Sequence, residues 1–132
     1  MEHPTTSGKY LQQPGFTFIE LMIVLSILAL LLSIALPRYF NGLTQAKETV
    51  LLKDLTVMRT AIDHYYNDKG QYPQSLRELV AQKYLHEIPT DPITGRDDTW
   101  VLIYPPDGSS KIFNIKSGAQ KKSVNGSFYN DW

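Results

Sequence analysis

One carboxylate stands where a carboxylate is costly. Between Phe16 and Leu36 the chain runs 21 residues with a single ionisable side chain, Glu20. Such a run, wound as a helix, is about 31 Å long, enough to cross the hydrocarbon core of a bilayer. A charge near the centre of such a span costs roughly 2.5 kcal/mol or more, so a carboxylate there reads as functional. Either it meets a positive partner or it takes up a proton.

The remaining chemistry-bearing residues are scattered. His3, His64 and His86 are far apart and show no metal-ligand spacing. No serine lies in a nucleophile elbow, and no glycine-rich phosphate loop occurs. Asp97-Asp98 reads as a solvated loop pair. Lys111, Lys116, Lys121 and Lys122 read as a solvated basic face rather than a nucleic-acid groove. Without cysteine, disulfides, thiolate metal sites and thiol catalysis are excluded.

The elements that position Glu20 follow from periodicity. From Leu43 to Tyr65 apolar residues recur at three- and four-residue steps, predicting an amphipathic helix that continues the apolar run to about Lys69. Pro37 predicts a kink or short break between the two halves. Gly70 and Pro73 are stop signals. Ser75-Leu76-Arg77-Glu78 has the spacing of a capping box opening a short helix. Thr99–Tyr104 and Lys111–Lys116 read as two strands of an antiparallel hairpin joined through Pro105-Pro106-Asp107-Gly108. A third strand is predicted over Ser127–Trp132.

Thirteen basic and thirteen acidic residues balance in 132. Beyond Leu36 twelve basic residues face eleven acidic ones, so no bulk field draws this part onto nucleic acid or an anionic membrane. About 96 residues follow the apolar run, room for one small domain. On membrane physics alone the N-terminal segment reads as an uncleaved signal anchor, since no small-residue cleavage site follows the apolar region.

Gly15-Phe16-Thr17-Phe18-Ile19-Glu20 leading the apolar run, then Pro37-Arg38-Tyr39, resembles the signature of type IV pilins and pseudopilins. That resemblance implies cleavage between Gly15 and Phe16 by a prepilin peptidase, N-methylation of Phe16, and a role for Glu20 in assembly. It overrides the uncleaved-anchor reading. Lys69-Gly70-Gln71-Tyr72-Pro73 and Pro89-Thr90-Asp91-Pro92 are further similar to the major (G-type) pseudopilin of type II secretion systems. The resemblance implies the pilin fold, in the α+β class: a long N-terminal helix with a small head holding a short helix and an antiparallel sheet. It divides the chain into a cleaved leader (1–15), a transmembrane and filament-core helix (16–36) and a periplasmic head that includes the second half of the helix (37–132).

The function so implied is structural, not enzymatic. The chain is a single-pass inner-membrane subunit that polymerises with itself into a pseudopilus and helps push folded proteins through the outer-membrane secretin. Its implied partners are minor pseudopilins, the prepilin peptidase and the inner-membrane assembly platform, with no nucleic acid. A type IV pilin for adhesion, motility or DNA uptake, and a monomeric membrane-anchored binding module, are the alternative readings. Major pseudopilins hold calcium in a C-terminal loop. Here the matching stretch is Ser117-Gly118-Ala119-Gln120-Lys121-Lys122, with two lysines and no carboxylate. Asp97, Asp98, Asp107 and Asp131 are the scattered carboxylates left to serve, so calcium is not expected.

Overall fold

The computed structural model describes residues 1–5, 7–9 and 13–132; residues 6 and 10–12 of the expected leader lie outside the described residues. The chain divides into two compact units, Met1–Pro37 and Arg38–Trp132.

Helix α1 spans Phe18–Lys69 and enters both units. It begins two residues after the predicted start, because the Thr17 hydroxyl accepts the Glu20 amide at 3.2 Å and caps the first turn. Of the two outcomes predicted at Pro37, a kink or a short break, the break does not occur: the helix runs through it. The ring removes one backbone donor, and hydroxyls on either side are satisfied within the helix. Ser33 donates to the Leu30 carbonyl at 2.6 Å and Thr44 to that of Phe40 at 3.0 Å. At the other end Gly70, at φ +70°, donates to the Tyr66 carbonyl at 2.8 Å. That left-handed conformation favours glycine and ends the helix.

In the second unit α1 supplies one side of the core through Leu51, Leu55, Met58, Ala61, Ile62 and Tyr65. Opposite them stand Leu76, Leu79, Leu85, Trp100, Ile112, Ile115, Ala119 and Tyr129. Each fully buried large aliphatic side chain stabilises the fold by about 1.5–3 kcal/mol relative to exposure. Arg59 reaches from α1 to the 114–115 segment. Its guanidinium donates to the Asn114 side chain at 3.0 Å and to the Ile115 carbonyl at 2.9 Å.

Helix α2 covers Leu76–Ala81. Ser75 caps it by accepting the Glu78 amide at 3.1 Å, as the capping box predicts. The reciprocal bond goes elsewhere. Glu78 accepts the Gln74 amide at 2.7 Å and the Tyr65 hydroxyl at 2.7 Å, so the box also fastens α2 to α1.

Strands β1 (Val101–Ile103) and β2 (Asn114–Lys116) pair antiparallel in the register Val101–Lys116, Leu102–Ile115 and Ile103–Asn114. Both are shorter than predicted. Pro105 and Pro106 have no N–H to offer the ladder, and the Ile112 amide donates to the Pro73 carbonyl at 2.7 Å rather than to β1. The predicted third strand is not one. Lys122 and Phe128 form an isolated bridge, and Tyr129–Asp131 then turns as a 3-10 helix. The turn directs the Tyr129 hydroxyl to Glu48 and lets the Trp132 indole N–H reach Ser127 Oγ at 2.9 Å.

Candidate functional site

The first unit carries the Glu20 segment. Residues 13–17 have no regular secondary structure and are exposed, so the Gly15–Phe16 bond lies in open chain just ahead of α1. Phe16 is 87% exposed and nothing approaches within 4 Å of where a Gly15 side chain would stand. Glu20 sits in the first turn of α1, where the helix dipole favours a carboxylate. Every large apolar side chain from Phe18 to Leu36 is exposed. The two serines in the run are satisfied within it, Ser26 donating to the Met22 carbonyl at 2.7 Å and Ser33 to that of Leu30. Among the described residues α1 is the one helix long and apolar enough to cross a membrane.

This geometry can do two things. It leaves the Gly15–Phe16 bond accessible in a stretch without regular secondary structure, and it exposes an apolar cylinder with a single carboxylate at its start.

The second unit holds features that sequence patterning missed. Asp91 is fully buried. Its Oδ1 accepts the Ile93 amide at 2.8 Å and the Thr94 amide at 3.3 Å, and its Oδ2 accepts the Ser117 hydroxyl at 2.6 Å. The Pro89–Pro92 motif marked this aspartate, but its partner Ser117 is 26 residues on. Next to it, Gly118 packs so closely that an added Cβ would lie 1.9 Å from the Thr99 carbonyl oxygen. Glu48 Oε1 accepts the Val124 amide and the Tyr129 hydroxyl, each at 2.8 Å. No local spacing could have signalled this pair of contacts. Burial and Glu48 together push the Tyr129 hydroxyl up to about 12.

The residues at hand do not fit calcium. Asp98 is held by Arg96 at 2.6 Å, which keeps its carboxyl below the usual range. Asp97, Asp107 and Asp131 are exposed. No cluster of three potential metal-ligating side chains occurs among the described residues. Within the C-terminal loop, Asn125 Oδ1 already accepts the Ser123 hydroxyl, the Ser127 amide at 3.1 Å and the Ser127 hydroxyl at 2.7 Å. The loop is closed by the chain's own donors.

Residues 11–36 match the family model described as the prokaryotic N-terminal methylation motif. The chain is 35% identical over 97 residues to the type II secretion system core protein G of Pseudomonas aeruginosa, covering 61% of this chain and 68% of that protein. It is 28% identical over 129 residues to the protein of the same name from Vibrio cholerae, covering 86% of each. A fimbrial protein, EcpC of Eikenella corrodens, is 39% identical over 81 residues, 58% of this chain and 53% of that one. No solved structure gives a significant match. With the prepilin motif ahead of an apolar helix and an α+β head behind it, the chain belongs to the family of the type II secretion system core protein G, the major pseudopilins.

Proposed function

We propose that this chain is processed between Gly15 and Phe16, held in the inner membrane by the following helix with its head in the periplasm, and polymerised into a pseudopilus. The observation that carries the reading is the conjunction of an exposed Gly15–Phe16 bond outside any helix or strand with a fully uncovered apolar helix that opens on Glu20. Cleavage frees an α-amine on Phe16, whose ordinary pKa of about 8 leaves it largely protonated at neutral pH. In a filament core, the Phe16 ammonium of one subunit is the partner that the Glu20 carboxylate of the next requires. A neighbour at the wrong stagger leaves both charges unpaired away from water. Breaking such a pair costs about 3–5 kcal/mol, enough to select one axial register.

The apolar side chains from Phe18 to Leu36 find lipid before assembly and other stems after it. Prepilin peptidase, minor pseudopilins and the assembly platform are the partners this cycle needs. The heads, once stacked, supply the push on folded cargo. Nothing in the cycle calls for catalysis by this chain.

The fimbrial relative supports a second reading, a type IV pilin built on the same stem. The secretion-system relatives favour the first, because the match to the Vibrio cholerae protein extends over 86% of this chain and so takes in the head as well as the stem. Glu20→Leu tests the mechanism. The variant is expected to be cleaved and membrane-inserted at normal levels while losing filament formation; filaments at wild-type yield would refute the register role.

A further inference from the structure

We propose that the C-terminal loop and α1 together form a binding site for a phosphate group. A cleft of about 180 Å³ is lined by Thr44, Lys47, Ile93, Lys121, Lys122 and Tyr129. Its three lysines come from segments more than seventy residues apart, and no carboxylate lines the cleft. None of the three forms a salt bridge among the described residues. Like charges gathered around one concavity repel, and a bound anion relieves that repulsion.

The two polar groups beside them are already committed. The Thr44 hydroxyl proton goes to the Phe40 carbonyl, and the Tyr129 hydroxyl goes to Glu48. The nearest acidic group, Glu48, is itself engaged by the Val124 amide and Tyr129. Recognition therefore falls to the lysines that line the cleft, whose side chains suit a multiply charged oxyanion with several outward oxygens better than a single carboxylate.

Lys47 stands on α1, and Lys121 and Lys122 are carried on a loop that is held in place beforehand. Lys122 pairs with Phe128 across the isolated bridge and sets its ammonium 5.1 Å from the centre of the Phe128 ring. The Lys121 carbonyl accepts the Tyr129 amide at 3.1 Å. Glu48 fastens the loop to α1 on either side of these contacts. Little backbone ordering is left to be done on binding, so the ordering cost is confined to the lysine side chains. The stretch that would serve a divalent cation in related chains thus presents positive charge here, and the ligand it suits has the opposite sign.

Two sources share this chemistry, soluble phosphate and a phospholipid headgroup, and one set of melts separates them. The full-length chain in maltoside micelles is melted in sodium phosphate and in sodium chloride at matched ionic strength. It is then melted in nanodiscs of phosphatidylcholine with and without phosphatidylglycerol. Saturating ligand raises the melting temperature by on the order of 5 °C. A shift with inorganic phosphate identifies a soluble ligand, and a shift confined to phosphatidylglycerol identifies a headgroup. Lys47→Gln and Lys121→Gln, both at exposed side chains, fold normally and each lose most of the shift. The proposal is overturned if wild type responds to neither ligand, or if both variants respond as wild type does. The measurement uses unassembled chain, so its outcome is independent of whether the chain forms a pseudopilus.

Discussion

Glu48 and Tyr129 lie 81 residues apart, yet the tyrosine hydroxyl donates to the glutamate carboxylate at 2.8 Å, and the same oxygen takes the Val124 amide. This contact closes the head. It joins the last turn of the chain to α1 and completes a core in which Tyr129 is 2% exposed. Glu48→Ala leaves a tyrosine hydroxyl and a backbone amide without their acceptor, a loss of about 1–3 kcal/mol. Tyr129→Phe removes one donor and keeps the ring, so it costs about 1 kcal/mol. Urea unfolding of both single variants and the double variant should give a coupling energy of about 0.5–3 kcal/mol, where strictly additive losses would count against the contact.

The buried Asp91 carboxylate is a second closure, between the 89–99 loop and β2. Asp91→Ala orphans two backbone amides and the Ser117 hydroxyl, and should destabilise the head by on the order of 3 kcal/mol or more. Ser117→Ala removes one of these three bonds and the acceptor of the Ala119 amide, and should still cost less, because it leaves the two amides bound to Asp91 Oδ1 in place. Equal losses in thermal melts of the two variants would show that those two amide bonds contribute little.

Gly118 makes a different demand. Its backbone is not in the left-handed region, but a methyl group there meets the Thr99 carbonyl oxygen at 1.9 Å, and backbone cannot yield as a side-chain tip can. Gly118→Ala should therefore destabilise the head by about 1–3 kcal/mol, the range for forced overpacking. A melting temperature equal to wild type would mean that the 99–118 contact is slack.

Two carboxyls set opposite pH dependences. The Gln74 amide, with the Tyr65 hydroxyl and Lys111 assisting, holds the Glu78 carboxyl below its ordinary value. Its contribution is complete above the unfolded-state pKa and is lost as pH falls through the lower folded value. Burial holds the Asp54 carboxyl above its ordinary value, with Lys53 opposing and Asp91 adding to the rise. Folded chain then binds that proton more tightly than unfolded chain, so Asp54 costs stability as pH rises through this window. At neutral pH, Asp54→Asn should raise the melting temperature and Glu78→Gln should lower it. Both differences should shrink as pH falls, and vanish once each carboxyl is protonated in folded and unfolded chain alike.

The stem was legible from sequence because its signals are local. Length, apolarity and the Gly15–Glu20 spacing need no distant partner. The amphipathic half of α1, the Gly70 stop and the Ser75 cap are read the same way, from steps of three and four residues and from neighbours along the chain. Glu48, Arg59 and Asp91 were opaque for the converse reason. Nothing local marks Arg59, because its acceptors, Asn114 and the Ile115 carbonyl, are 55 and 56 residues away. Ser127–Trp132 looked like a strand because its aromatic and turn residues suit one. What decided otherwise was the pull of Tyr129 toward a helix that local pattern cannot see. Pro37 allowed a kink or a break, and of these only the break is excluded, because one lost backbone bond does not interrupt the ladder on both sides.

The central claim is that processing creates the partner Glu20 needs, so that only cut chains polymerise. The most direct measurement is mass spectrometry of the N-terminal peptide from isolated filaments. The account predicts a peptide beginning at N-methylated Phe16, with none extending across the Gly15–Phe16 bond. Filaments built from chains in which Gly15 and Phe16 are still joined would contradict it.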